Sequence, residues 1–240
     1  MMIPKLKKLA LGAALALTLS SGGTAVAQST LFNIPSTDVV GKKQTYLEFD
    51  FISHLESHRD GGFQTYVPRA VFGIGKRVEV GVNVAFTDAL ASNQPVELQP
   101  NIKWQFYNNE TNGVAAAAGG ILYAPVANRA DTDTFGLVYM TTSKKVKATY
   151  GPRLTGGAYT LLGRAAGTGT KTGAIVGYEQ PLHPKVSFVA DWISGKNRFG
   201  YVTPGLSFAV SKTSLFYAGY SIGNQGRKNN GLFLYYGITF

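Results

Sequence analysis

The feature that most constrains this chain is a two-residue alternation whose apolar members carry no charge. Val78, Val80, Val82, Val84 and Phe86 alternate with Glu79, Gly81, Asn83 and Ala85. Leu98, Ile102, Trp104 and Phe106 alternate with Gln99, Asn101, Lys103 and Gln105, and Val186, Phe188, Ala190 and Trp192 with Ser187, Val189, Asp191 and Ile193. A period of two is that of a strand with two unlike faces. On each strand that can be phased, the charges fall on the second parity: Glu48, Asp50, Arg69, Glu79, Lys103, Lys147, Arg153, Glu179 and Asp191. A charge on a lipid-facing strand position costs about 2–4 kcal/mol near the bilayer midplane, whereas a soluble sandwich tolerates a few. The pattern therefore predicts apolar side chains outside and polar ones inside, in an all-β, closed antiparallel transmembrane β-barrel of about twelve strands.

The spacing of turn residues agrees. Short links are expected at Gly75–Arg77, Asn108–Gly113, Ser143–Lys145, Leu182–Lys185 and Ser211–Lys212. Longer polar links fall near His54–Gly62, Asp88–Pro95, Pro125–Thr132, Gly163–Lys171, Gly195–Asn197 and Gly223–Asn230. Short and long links alternate, as in barrels with short periplasmic turns and longer outer loops, and an even strand count puts both termini on the periplasmic side. Pro68, Pro100, Pro152 and Pro204 fall inside expected strands. Proline has no ladder N–H and a closed barrel has no edge, so bulges or ladder breaks are expected there. Val114 to Ala124 is Ala-rich and allows a helix, but Gly119 and Gly120 and the segment's length favour a strand.

The first segment reads as targeting rather than structure. Lys5, Lys7 and Lys8 precede an apolar run, Leu9 to Leu19, and Ala25-Val26-Ala27 forms a small-residue cleavage site. Residues 1–27 are thus expected to be a signal peptide, with a mature start at Gln28. Residues 28–43 form a segment that stays periplasmic or tucks into the lumen, and 44–240 form the barrel. No cysteine is present, which excludes disulfides, cysteine-based zinc sites and a lipoprotein anchor. The net charge of +10 on 240 residues suits anionic headgroups or solutes. No nucleic-acid-binding motif accompanies it, so nucleic acid is not an expected partner.

The ending Leu232-Phe233-Leu234-Tyr235-Tyr236-Gly237-Ile238-Thr239-Phe240 resembles the C-terminal strand of the Gram-negative outer-membrane β-barrel superfamily. The resemblance implies an assembly signal at Tyr236, Ile238 and Phe240, read by the barrel-assembly machinery, and a place in the outer membrane. In size the chain is similar to twelve-stranded porin-like barrels such as small solute channels and the outer-membrane phospholipase.

Candidate sites follow from the faces. The inward charges would line a lumen and set ion preference; equally, they could pair with one another in a plugged interior. Arg164, Lys171, Lys196, Arg198, Arg227 and Lys228 lie in or beside expected outer loops, where lipopolysaccharide phosphates would meet them. His54, Glu56, His58 and Asp60 would share a strand face and could hold a cation, although a solvated loop is the plainer reading, and no metal or other cofactor is expected. No catalytic constellation stands out, since the phospholipase-type His-x-Ser spacing and G-x-S-x-G are both absent. The expected function is a passive channel for small solutes, against a structural or partner-binding barrel with a plugged lumen, or a lipid-modifying enzyme.

Overall fold

Strands form wherever the alternation runs unbroken, because a pleated chain sends successive side chains to opposite faces. The computed structural model describes residues 29–89, 94–129, 133–163, 169–226 and 230–240. The proposed signal peptide, Gln28, Arg164, Arg227 and Lys228 lie outside the described residues. Among those described, the strands are β1 (Thr45–His54), β2 (Phe63–Gly73), β3 (Val78–Ala89), β4 (Val96–Asn109), β5 (Val114–Ala127) and β6 (Phe135–Lys145). They continue as β7 (Arg153–Leu162), β8 (Thr172–His183), β9 (Val186–Ile193), β10 (Tyr201–Ala209), β11 (Ser214–Gly223) and β12 (Gly231–Thr239). Each pairs antiparallel with its sequence neighbours, and β1 pairs with β12 from Tyr46↔Thr239 to Ser53↔Leu232. The result is a closed antiparallel barrel of twelve strands. Thr45 and Phe240 bond to each other at one end, here the terminal end. The short links after β2, β4, β8 and β10 share that end with the longer link at 146–152, and the remaining links lie at the opposite, loop end.

The outer surface is apolar. Phe49, Ile102, Trp104, Met140, Leu154 and Val176 are all exposed on the barrel wall. Strand β6 shows the alternation most cleanly, with Phe135, Leu137, Tyr139, Thr141 and Ser143 buried and Met140 and Thr142 exposed between them. Two charges depart from the expected charge-free parity. Asp88, near the end of β3, and Lys144, near the end of β6, are both exposed on the outward parity. Both sit at strand ends, where the cost of a charge falls to about 0–1 kcal/mol.

Val114 to Ala127 is a strand, not a helix. Pro68, Pro100 and Pro204 each interrupt the ladder to the following strand without shifting its register. Pairing runs Tyr66↔Phe86 then Arg69↔Asn83, Leu98↔Ala124 then Asn101↔Ile121, and Val202↔Ile222 then Gly205↔Gly219. Pro152 lies outside a strand, in the link before β7. Register shifts occur instead near Pro125 and Pro181, and between Trp104 and Tyr107.

Candidate functional site

The lumen is not empty. Leu31, Phe32, Ile34 and Val40 are at most 2 % exposed, so the segment ahead of β1 is packed within the barrel. It folds back on itself through the bridge Thr30↔Pro35. Its side chains and backbone then reach strands all around the wall. Asn33 Nδ2 donates to Thr203 Oγ1 on β10 at 2.7 Å, and Gln105 Nε2 on β4 donates to the Thr37 carbonyl at 2.8 Å. Thr37 Oγ1 lies 2.6 Å from Ser143 Oγ on β6. Only a path through the lumen touches so many strands of a closed barrel. The tip, Phe32 to Ile34, is held by Asp191 on β9, whose Oδ2 accepts the backbone N–H groups of all three residues.

The segment leaves the lumen at the terminal end. Lys43 adopts the left-handed region with φ 66° and donates its N–H to the Gly73 carbonyl at 2.8 Å. A Cβ at Gly73 would stand 1.9 Å from the Gly41 carbonyl oxygen, so only glycine lets the two backbones approach this closely.

Charges inside the barrel are arranged in pairs. Arg69 meets Glu48 at 2.5 Å and Asp50 at 3.5 Å, and Tyr46 donates its hydroxyl to Glu48. Lys103 lies 3.0 Å from Glu79 and donates to the Ser29 carbonyl at 2.6 Å. Glu79 also accepts the Val40 N–H at 2.7 Å and the Ser29 hydroxyl. Arg153 bridges Glu179 on β8 and Asp38 of the inserted segment. At the loop end, Arg198 forms two 2.8 Å bonds to Glu97 and lies over the rings of Tyr123, Phe135 and Phe199. Desolvation there works against its charge, but the bonds to Glu97 and its field outweigh it and raise the Arg198 pKa above the ordinary arginine value.

Two cavities flank the segment. The larger, of about 450 Å³, opens at the loop end, and Thr30, Phe32 and Asn33 of the inserted tip line its floor. The smaller, of about 210 Å³, lies at the terminal end beside Asp38, Arg153 and Glu179. They share no lining residue.

No family model and no curated protein matches this sequence. Similarity appears in three dimensions. An outer membrane channel from Pseudomonas putida F1 is similar over 93% of this chain and 100% of its own, at 13% identity and a TM-score of 0.52. The KdgM porin is similar over 81% of this chain and 98% of its own, at 10% identity and a TM-score of 0.52. The same porin in complex with disordered oligogalacturonate gives 82% and 98%, at 10% identity and a TM-score of 0.51. The fold is that of a small outer-membrane porin.

Within this porin-like barrel, Glu48, Asp50, Arg69, Glu79, Lys103, Arg153, Glu179 and Asp191 all face the lumen, bonded to one another or to the inserted segment. Lys147 does not join them. Strand β6 continues through Lys145, past the turn expected at Ser143–Lys145, so Lys147 lies exposed in the link at 146–152. Glu97 and Asp38 were not among the expected lining residues. Glu97 shares the Gln99 parity and could have been found by extending that strand toward its outer loop, while nothing in the local pattern marks Asp38. Of the basic loop residues described, Lys171, Lys196 and Arg198 are all exposed, and Arg198 also pairs with Glu97. Tyr236 and Phe240 are exposed on the outward parity of the final strand, with Ile238 between them half-buried. His54, Glu56, His58 and Asp60 do not share a face, because β1 ends at His54 and 58–60 form a 3-10 turn.

Proposed function

We propose that this barrel is a passive channel of the cell outer membrane for small solutes, with a charged lumen narrowed by its own N-terminal segment. In this reading the terminal end faces the periplasm and the mature chain begins at Gln28. The observation that carries it is the chemistry of the wall behind the inserted segment. That wall sets buried hydroxyls and carboxylates among the apolar side chains that pack on Leu31, Phe32 and Ile34. Thr141 and Thr155 bury their hydroxyl oxygens with no hydrogen-bond partner among the described residues. Such a group costs about 1–3 kcal/mol when unpaired. Water admitted by withdrawal of the segment would satisfy both. Alongside its apolar packing, the segment is tied to the wall by hydrogen bonds to polar side chains, which water can replace.

Three subsidiary assignments go with this reading. Lys171 and Lys196 meet lipopolysaccharide phosphates at the loop end. Tyr236, Ile238 and Phe240 serve as the signal for the assembly machinery. Outer-membrane lipid covers the apolar wall.

The test is single-channel recording in planar bilayers, with residues 28–240 compared to the same chain lacking 29–40. Discrete, salt-dependent steps that enlarge on deletion are expected. Silence from both, with the barrel folded, would reject a channel. It would favour the other reading, a structural or partner-binding barrel with a plugged lumen, to which the lack of any shared lining residue between the two cavities points.

A further inference from the structure

We propose that the cavity at the loop end is a binding subsite for neutral sugars of one or two rings, in preference to acidic ones. The proposal deepens the channel reading and rests on it. The cavity's volume of about 450 Å³ lies within the range of roughly 300–1,000 Å³ typical of small-molecule sites.

Its charges decide the class. Among the described residues the lining cations are Arg69 and Arg198, and both are already committed to carboxylates. Arg198 presents its fork to Glu97 through two bonds, the geometry an arginine would otherwise offer to an acidic ligand. Among the described lining residues a uronate finds no free cation, and it meets Asp50 and Glu97. Breaking a partly buried ion pair to make room leaves a carboxylate uncompensated.

The rest of the lining suits hydroxyls. Thr65, Asn83, Thr87 and Gln99 line the cavity, and hydroxyl and amide side chains both donate and accept, as sugar hydroxyls do. Asn83 is 6% exposed and its amide oxygen has no partner among the described residues. Phe63, stacked on one side by His54, and Phe199, under Arg198, line the same cavity and add apolar ring surface for the C–H face of a pyranose. Paired charges, two-way hydrogen bonders and rings together describe a site for an uncharged polyol with one apolar side.

The experiment uses the folded chain 28–240 in a zwitterionic detergent without a sugar headgroup, titrated with maltose and with glucuronate by saturation-transfer NMR. Maltose is expected to saturate at concentrations about tenfold lower than glucuronate. Asn83→Ala should weaken maltose about fivefold. Asp50→Asn keeps the shape but leaves Arg69 one carboxylate short, so it should narrow the gap between the two ligands. Circular dichroism confirms that each variant keeps its sheet. Absence of saturable maltose binding, or tighter binding of glucuronate, would overturn the proposal. Bilayer recording of the same preparation separates the two readings. Current steps without maltose binding overturn the subsite alone, and maltose binding without steps keeps the subsite but overturns passage.

Discussion

Asp191 is the point at which the inserted segment is most open to attack. Its Oδ2 accepts the N–H groups of Phe32, Asn33 and Ile34 at 3.0, 2.6 and 3.2 Å. A hydrogen bond to a charged group contributes about 1.5–3 kcal/mol. Three bonds on one oxygen do not add in full, and removing the carboxylate also relieves the cost of its burial. A net loss of about 3 kcal/mol in the docked state is therefore expected for Asp191→Ala, roughly a hundredfold in the docked-to-withdrawn ratio at tenfold per 1.4 kcal/mol. The chain has no cysteine, so a single Thr37→Cys substitution gives a clean reporter at a position with 0% exposure. Thiol labelling by a membrane-impermeant maleimide then tracks the population in which the segment has left the lumen. Labelling should accelerate roughly a hundredfold when Asp191→Ala is added to Thr37→Cys. An unchanged rate in a correctly folded barrel would refute the claim that Asp191 holds the tip.

Other perturbations probe the wall and the outer surface. Lys103→Met leaves Glu79 as an uncompensated charge at 1% exposure and should cost about 3–5 kcal/mol, read as a lower urea midpoint on lipid vesicles, with part of the loss restored by Glu79→Gln. Gly177→Ala would bring a Cβ to 2.7 Å from both Leu31 and Ile34 and should raise Thr37→Cys labelling, whereas Gly156→Ala meets nothing within 4 Å and should leave it unchanged. Met140→Arg, on an outward position of β6 that is 55% exposed, should destabilise the barrel in lipid by about 2–4 kcal/mol while leaving the Thr37→Cys labelling rate as it was.

The barrel was legible because its signals are local. Period-two runs such as Val78 to Phe86 define a strand and its faces without knowledge of any neighbour, and the turn residues between runs fix the number of crossings. Local reading erred where strands outlast their apolar pattern. Strand β6 runs on through Ser143, Lys144 and Lys145 because its partners β5 and β7 continue to offer ladder bonds, and that carried Lys147 into the following link. The parity rule similarly missed Asp88 and Lys144, since it holds for the span in hydrocarbon and relaxes at the rims. The inward charges were identifiable as a face but not as pairs. Whether Arg153 meets Glu179 or Asp38 depends on contacts across 26 and 115 residues, and no sequence period encodes those. The fold of segment 29–43 is likewise fixed by wall residues far along the chain, which Phe32, Ile34 and Pro35 alone do not reveal.

The pairing of β1 with β12 has a consequence for how such a molecule can be remodelled. The segment that fills the lumen is joined directly to the first strand, so it enters from whichever side the first strand begins. With an even number of strands that side is also where the chain finishes. Gain or loss of a whole hairpin preserves this arrangement, and the barrel can widen or shrink in such steps while its stopper stays on the same side of the bilayer. Insertion of a single strand would separate the two chain ends across the membrane. Either the stopper or the closing strand would then lie opposite the compartment from which it now acts. Heredity by hairpins therefore keeps the stopper and the seam under one compartment's control.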